Sequence, residues 1–154
     1  MTTSEPTPSL LDAQLCFALH DAARAIVGCY RPLLDAAGLT YTQYLVMLVL
    51  WERDRPVPVG VLCERLHMDS GTLSPLLKRL ETHGYVNRSR SRHDERSVEV
   101  TCTAAGRALR GQVALVQFEV SAATGLTIDQ ATALRIELLA LTERLRDHNQ
   151  AKVG

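Results

Sequence analysis

Two side chains in the stretch LCFALHDAARAIVGCYRPLL, residues 15–34, have reactive chemistry of their own: the thiol of Cys16 and the phenol of Tyr30. A thiolate is a nucleophile that can be oxidised to a sulfenic acid and beyond, and a phenol can donate a hydrogen bond that stabilises it. Near the start of a helix the macrodipole favours the anion as well. Fourteen residues of straight helix separate the two groups by about 21 Å, so they cannot meet within one such helix. A second copy of the chain has to bring phenol to thiol. In a two-fold antiparallel pair of first helices, Cys16 facing Tyr30 implies Tyr30 facing Cys16, with the midpoint at residue 23. Ala22 and Ala23 stand there, small enough for close approach.

Metal binding is the competing chemistry. Cys16 and His20 have the i, i+4 spacing of helix-borne ligands, and His67, His83, His93 and His148 are further candidates. Two ligands are too few for a defined site, so no metal or other cofactor is expected. Cys29, Cys63 and Cys102 form no CxxC pair and read as small buried hydrophobes.

A different chemistry sits further along. Between residues 78 and 96, Lys78, Arg79, Arg88, Arg90, Arg92 and Arg96 outnumber Glu81, Asp94 and Glu95 by three, although the whole chain has a formal net charge of zero. A local cationic segment on a neutral protein fits a specific nucleic-acid contact and argues against indiscriminate binding of polyanions.

The elements that must hold these groups follow from periodicity. Leu11, Leu15, Ala18, Leu19, Ala22, Ile26 and Cys29 recur at helical spacing, predicting a long first helix over 10–30 that continues toward a stop at Gly38, with a bend near Pro32. Thr40 and Gln43 have capping-box spacing, with Leu39 and Tyr44 placed as a hydrophobic staple, so a mainly apolar helix should run from 41 to about 52. Residues 57–86 read as two short helices around the turn Met68-Asp69-Ser70, with Pro58 at a first helical position. The second helix offers Leu73, Leu76, Leu77 and Leu80 inward and Ser70, Thr72, Pro75, Lys78 and Arg79 outward. Small polar residues at its start suit base edges, and the cations after them suit phosphates.

Beyond Gly84, Val86 on one arm and Val98, Val100 and Cys102 on the other predict a two-stranded hairpin with a tip carrying Arg88, Arg90, Arg92 and Arg96. Helix-turn-helix plus hairpin is a winged helix. Thr103 then caps a helix expected to end near Gly125, and Thr127 with Gln130 opens a last helix to about residue 148. The fold class is therefore mainly α with a small β component. Residues 54–103 form the winged helix-turn-helix, and residues 9–53 and 104–149 form a helical dimerisation region.

At 154 residues, 46% hydrophobic and 22% charged, the composition is that of a globular domain. The longest apolar run, YLVMLVLW, is too short for a membrane span, and MTTSEPTPS lacks the features of a signal peptide. The expectation is a cytoplasmic protein without a membrane partner.

The helix order, the segment LSPLLKRLETHGYV and the wing's DER followed by SVEVTCTAAG resemble the MarR family of dimeric winged-helix regulators over essentially the whole chain. Within it, LCFAL, YRPLL, GLTYTQYLVMLVLWE and MDSGTLSPLLKRLE are similar to the organic-hydroperoxide-sensing repressors of the OhrR type. This resemblance implies a homodimer on an inverted-repeat operator, and a regulator in place of an enzyme. Cys16 matches the reactive cysteine, Tyr30 and Tyr41 the tyrosines that hydrogen-bond it from the other subunit, and Asp94 and Arg96 the wing's aspartate and DNA-contacting arginine. His20 stands where a tyrosine is often found. The chain has no cysteine after Cys102, so oxidation is expected to proceed from sulfenic acid to a mixed disulfide with a small cellular thiol. The rival readings are a thiol peroxidase, for which the chain supplies no recycling dithiol, a metal sensor, and a regulator released by a small phenolic ligand.

Overall fold

The computed structural model describes residues 9–152; the polar stretch of residues 1–8 lies outside them. Helix α1 spans Leu15–Asp35 and runs through Pro32. It starts later than its apolar spacing predicts, because Gln14 is extended and offers no capping side chain, and residues 10–13 form a turn held by Ser9 and Asp12. Its end is a Schellman turn: Gly38 adopts φ +66°, and the N–H groups of Gly38 and Leu39 return to the carbonyls of Asp35 and Leu34.

Helix α2, Tyr41–Trp51, opens with the expected capping box between Thr40 and Gln43. It is apolar around most of its circumference and buries Tyr44, Val46, Met47, Val49 and Leu50, which makes it the core helix. A short strand β1, Val57–Pro58, follows. Helices α3, Val59–Leu66, and α4, Ser70–Thr82, then form the helix-turn-helix. Leu73, Leu77 and Leu80 of α4 are fully buried, whereas Leu76 is half-buried. His67 closes α3 in the left-handed conformation at φ 53°, and Asp69 caps α4 by accepting from the backbone N–H of Thr72 at 2.7 Å.

Strands β2, Val86–Arg90, and β3, Val98–Cys102, pair antiparallel from Val86 opposite Cys102 to Arg90 opposite Val98. The wing is not the two-stranded ribbon expected from sequence. Val57 and Pro58 add to the other edge of β3, giving the order β1-β3-β2, so Pro58 is a strand residue and the N-cap of α3, not its first helical residue. Val100, central in the sheet, is fully buried, while Val98 near the tip is exposed, because the hairpin projects past the core there.

The single helix expected from Thr103 to about Gly125 is two helices, α5, Ala104–Gln112, and α6, Val116–Ala123. Gly111 and β-branched Val113, both poor helix formers, precede the break, and Val113 leaves helical geometry at φ −104°, ψ 9°. Helix α5 is tied to the winged helix. Trp51 Nε1 donates to the Gly106 carbonyl at 2.9 Å, and a Cβ at Gly106 would collide with the Tyr85 carbonyl.

The described residues form two compact units that divide between Gln117 and Phe118, within α6. The second holds the rest of α6, the turn at Gly125 and helix α7, Ile128–Ala151, which opens with the predicted Thr127–Gln130 capping box. No helix among the described residues is long and apolar enough to cross a membrane.

Candidate nucleic-acid interface and thiol site

Helix α4 presents Ser70, Thr72 and Pro75 in its first turns and Lys78 and Arg79 further along, all exposed. The Asp69 cap orders the N-terminal turn, and the Thr72 N–H that it accepts holds the Asp69 carboxyl below its usual range. The wing tip is a tight turn. Ser91 is buried, its N–H donates to the Ser97 carbonyl, and Ser97 N–H donates to the Asp94 carbonyl. Asp94 Oδ1 accepts from Arg96 N–H at 3.0 Å, so this carboxylate shapes the turn that displays Arg96.

The wing arginines are not equivalent. Arg92 and Arg96 are exposed, and Arg90 reaches back to the Glu95 carbonyl at 3.3 Å. Arg88 is drawn inward, its guanidinium 3.2 Å from Glu81 Oε1. A cleft of about 390 Å³ lies between the start of α3, α4 and the wing, with Ser74, Arg88, Asp94 and Arg96 on its walls.

The thiol site is built on α1. Cys16, its second residue, is exposed, and His20 is exposed one turn on. Tyr30 lies on the same unbroken helix and so cannot reach Cys16 of its own chain. Tyr30 instead packs on Tyr41, with ring centroids 4.8 Å apart, and on Tyr44 at 5.8 Å. Trp51 extends the cluster from Tyr44 at 6.3 Å. Sequence spacing could have paired Tyr30 with Tyr41 through the α1–α2 turn, but it gave no sign of Tyr44 and Trp51 behind them. Burial, then the neighbouring Tyr41 and Tyr44, raises the Tyr30 pKa, which keeps the phenol protonated as a donor.

The sequence predicts buried thiols at the other three cysteines, and none of them is fully buried. Cys63 and Cys102 are half-buried, and burial pushes the Cys102 thiol up, away from reactivity. Cys29 is exposed, because its face of α1 is uncovered in a single chain. The histidines do not converge. His83 stacks on Tyr85 at 5.9 Å, and among the described residues no three His, Cys, Asp or Glu side chains gather as a metal cluster.

A hydrogen bond from the wing's root reaches the turn between the helices that carry the tyrosines. The hydroxyl of Tyr85, at the root of β2, donates to the Ala37 carbonyl in the α1–α2 turn at 3.1 Å, and that turn lies between Tyr30 and Tyr41 in sequence.

Residues 29–112 match the family described as transcriptional regulator SarA/Rot, whose members share the MarR-like winged helix. The chain belongs to this family. It is a DNA-binding transcriptional regulator and not an enzyme. It is 46% identical over 152 residues to the HTH-type transcriptional regulator TtmR of Methylorubrum extorquens, covering 99% of this chain and 75% of that protein. Over 139 residues it is 37% identical to the organic hydroperoxide resistance transcriptional regulator of Bacillus subtilis, covering 90% of this chain and 94% of the relative. Among solved structures, reduced AbfR bound to DNA aligns with TM-score 0.73 and 34% identity over 86% of this chain and 91% of that one. AbfR is a Staphylococcus epidermidis protein whose structures also include overoxidised and disulfide forms.

Proposed function

We propose that this regulator is a homodimeric repressor that holds an inverted-repeat operator through α4 and the wing and releases it when an organic hydroperoxide oxidises Cys16. In this reading residues 54–103 contact DNA, and residues 9–53 and 104–149 hold the dimer together. Ser70, Thr72 and Pro75 meet base edges, while Lys78, Arg79, Arg90, Arg92 and Arg96 meet phosphates. The two recognition helices enter successive major grooves about 34–36 Å apart.

The observation that carries the redox reading is the division of the site along one helix. Cys16 stands exposed in the first turn of α1, and its two candidate donors, Tyr30 and Tyr41, are packed against each other, rings tilted by 49°, at the far end. Only a second chain with its α1 antiparallel to the first closes that gap. The thiolate sulfur takes the terminal oxygen of the hydroperoxide and the O–O bond breaks. The alkoxide leaves as an alcohol after gaining a proton. Sulfur is oxidised by two electrons and the peroxide reduced by two. A small cellular thiol then condenses with the sulfenic acid, forming a mixed disulfide and water. The enlarged group pushes on the α1 packing, and the Tyr85–Ala37 bond carries the displacement to the wing. The Bacillus relative's role and the several redox forms of AbfR favour this chemistry over a metal.

A second reading has one observation in its favour: a cleft of about 520 Å³ beside α1 and the start of α2, lined by Arg24, Val27, Arg31, Leu39 and Tyr41, would accept a small anionic phenol. One titration separates the readings. Reduced wild type and Cys16→Ser are bound to an operator selected from random-sequence duplexes, with and without cumene hydroperoxide. Wild type should dissociate and Cys16→Ser should stay bound. Release of Cys16→Ser by peroxide would defeat the thiol mechanism.

A further inference from the structure

Glu81 and Arg88 are seven residues apart, on the last turn of α4 and the third position of β2. The Schellman turn at Gly84 reverses the chain between them and places the carboxylate beside the strand. Both carboxylate oxygens are engaged. Oε2 accepts the backbone N–H of Arg88 at 2.8 Å, and Oε1 accepts its guanidinium at 3.2 Å. A backbone N–H tied this way fixes the strand itself and not merely a side chain. Arg88 in turn pairs with Val100, the fully buried centre of the sheet, so the anchor lies beside the part of the wing that packs on the core.

The guanidinium is committed to the crease between helix and wing. Its Nε is enclosed and has no hydrogen-bond partner. A side chain kept for phosphate would stay open to solvent, and Arg92 and Arg96 are exposed. Arg88 instead gives up solvation at one nitrogen to reach Glu81.

We propose that Glu81 is a positioning residue of the DNA-binding machinery, setting the angle at which the wing leaves the recognition helix and withholding Arg88 from the phosphate backbone. Of the four wing arginines, only Arg90, Arg92 and Arg96 then act as mobile cations toward DNA. This rests on α4 and the wing being the DNA interface.

The slope of log K against log salt tests it, because removing one cation from a phosphate lowers the slope by about 0.9, whereas a loss of fold stability alone does not. Wild type, Arg92→Gln, Arg88→Gln and Glu81→Gln are titrated on the selected operator. Arg92→Gln should lower the slope by about 0.9. Arg88→Gln should keep the wild-type slope while binding roughly two- to tenfold more weakly. Glu81→Gln, which keeps size and an acceptor but frees the guanidinium, should steepen the slope by about 0.9. If Arg88→Gln does not fold, Glu81→Gln decides the matter. A slope lowered by about 0.9 in Arg88→Gln, or a Glu81→Gln protein with unchanged slope and affinity, would overturn the proposal. Unchanged slope on neutralising Lys78, Arg79, Arg90, Arg92 and Arg96 together would instead remove this face from the DNA interface.

Discussion

Helices α2 and α1 are both rich in apolar residues, and the structure treats them in opposite ways. Every α2 residue is buried or half-buried within its own chain. In α1 only Leu34, near the C-terminal end, is buried, while Leu15 is 65% and Phe17 41% exposed. Helix α7 repeats the α1 pattern: none of its residues is buried, and Ile136 and Leu139 are more than half exposed. A lone amphipathic helix gains little of its stability from propensity and needs its apolar face covered. The core around α2 is thus completed within one chain, whereas the apolar faces of α1 and α7 stay exposed in it; in the proposed homodimer these faces meet the second chain, and Cys16 lies on α1.

Paired substitutions separate the roles of the two helical faces. Leu80→Ala empties a fully buried position and should cost about 2–5 kcal/mol in urea unfolding. Ile26→Ala on the exposed face should change the chain's own stability by less than about 0.5 kcal/mol, yet weaken self-association in sedimentation. Equal losses of stability, with association untouched in Ile26→Ala, would mean that α1 has no partner.

A smaller effect sharpens the link between the regions. Tyr85→Phe keeps the ring on His83 but removes the hydroxyl from the Ala37 carbonyl, at a cost of about 0.5–1.5 kcal/mol. Reduced protein should still bind operator, and peroxide should release it less completely than wild type at equal Cys16 oxidation, measured by mass spectrometry alongside anisotropy. Unaltered release would remove this bond from the route.

Much of this division was legible in the sequence because it rests on local chemistry. Thr40 with Gln43 and Thr127 with Gln130 mark helix starts by themselves, and both capping boxes form. The leucine spacing of α4 likewise reports its buried face. What the sequence hid depends on distant partners. Strand β1 is two residues long and exists only because Val57 meets Val100 from across the winged helix. Arg88 reads as one more wing cation until Glu81 is seen beside it. The break between α5 and α6 has only Gly111 and Val113 to announce it, inside an otherwise helical composition. For the thiol site the residues Cys16, Tyr30 and Tyr41 were readable, but the packing of Tyr44 and Trp51 behind the tyrosines was not.

The smallest expected effect concerns pH. Asp69 accepts from Thr72 N–H, which lowers its pKa, so the stabilisation from its charge is present above the ordinary aspartate range and lost as pH falls through the lowered value. Asp69→Asn keeps a capping oxygen without the charge. Its stability deficit in urea melts should be largest near neutrality and shrink toward zero in acid; a deficit constant with pH would assign the cap to hydrogen bonding alone.

Whether each site takes its thiol from one chain and its phenols from the other is decided by mixing defects. Cys16→Ser protomers are combined with Tyr30→Phe/Tyr41→Phe protomers and the mixed dimer is isolated through two different tags. If sites form between chains, the one remaining Cys16 faces intact tyrosines, and it should form sulfenic acid with cumene hydroperoxide at the wild-type rate, read by dimedone labelling. If that cysteine instead reacts as slowly as in the Tyr30→Phe/Tyr41→Phe homodimer, thiol and phenols belong to one chain and the site shared between two chains does not exist.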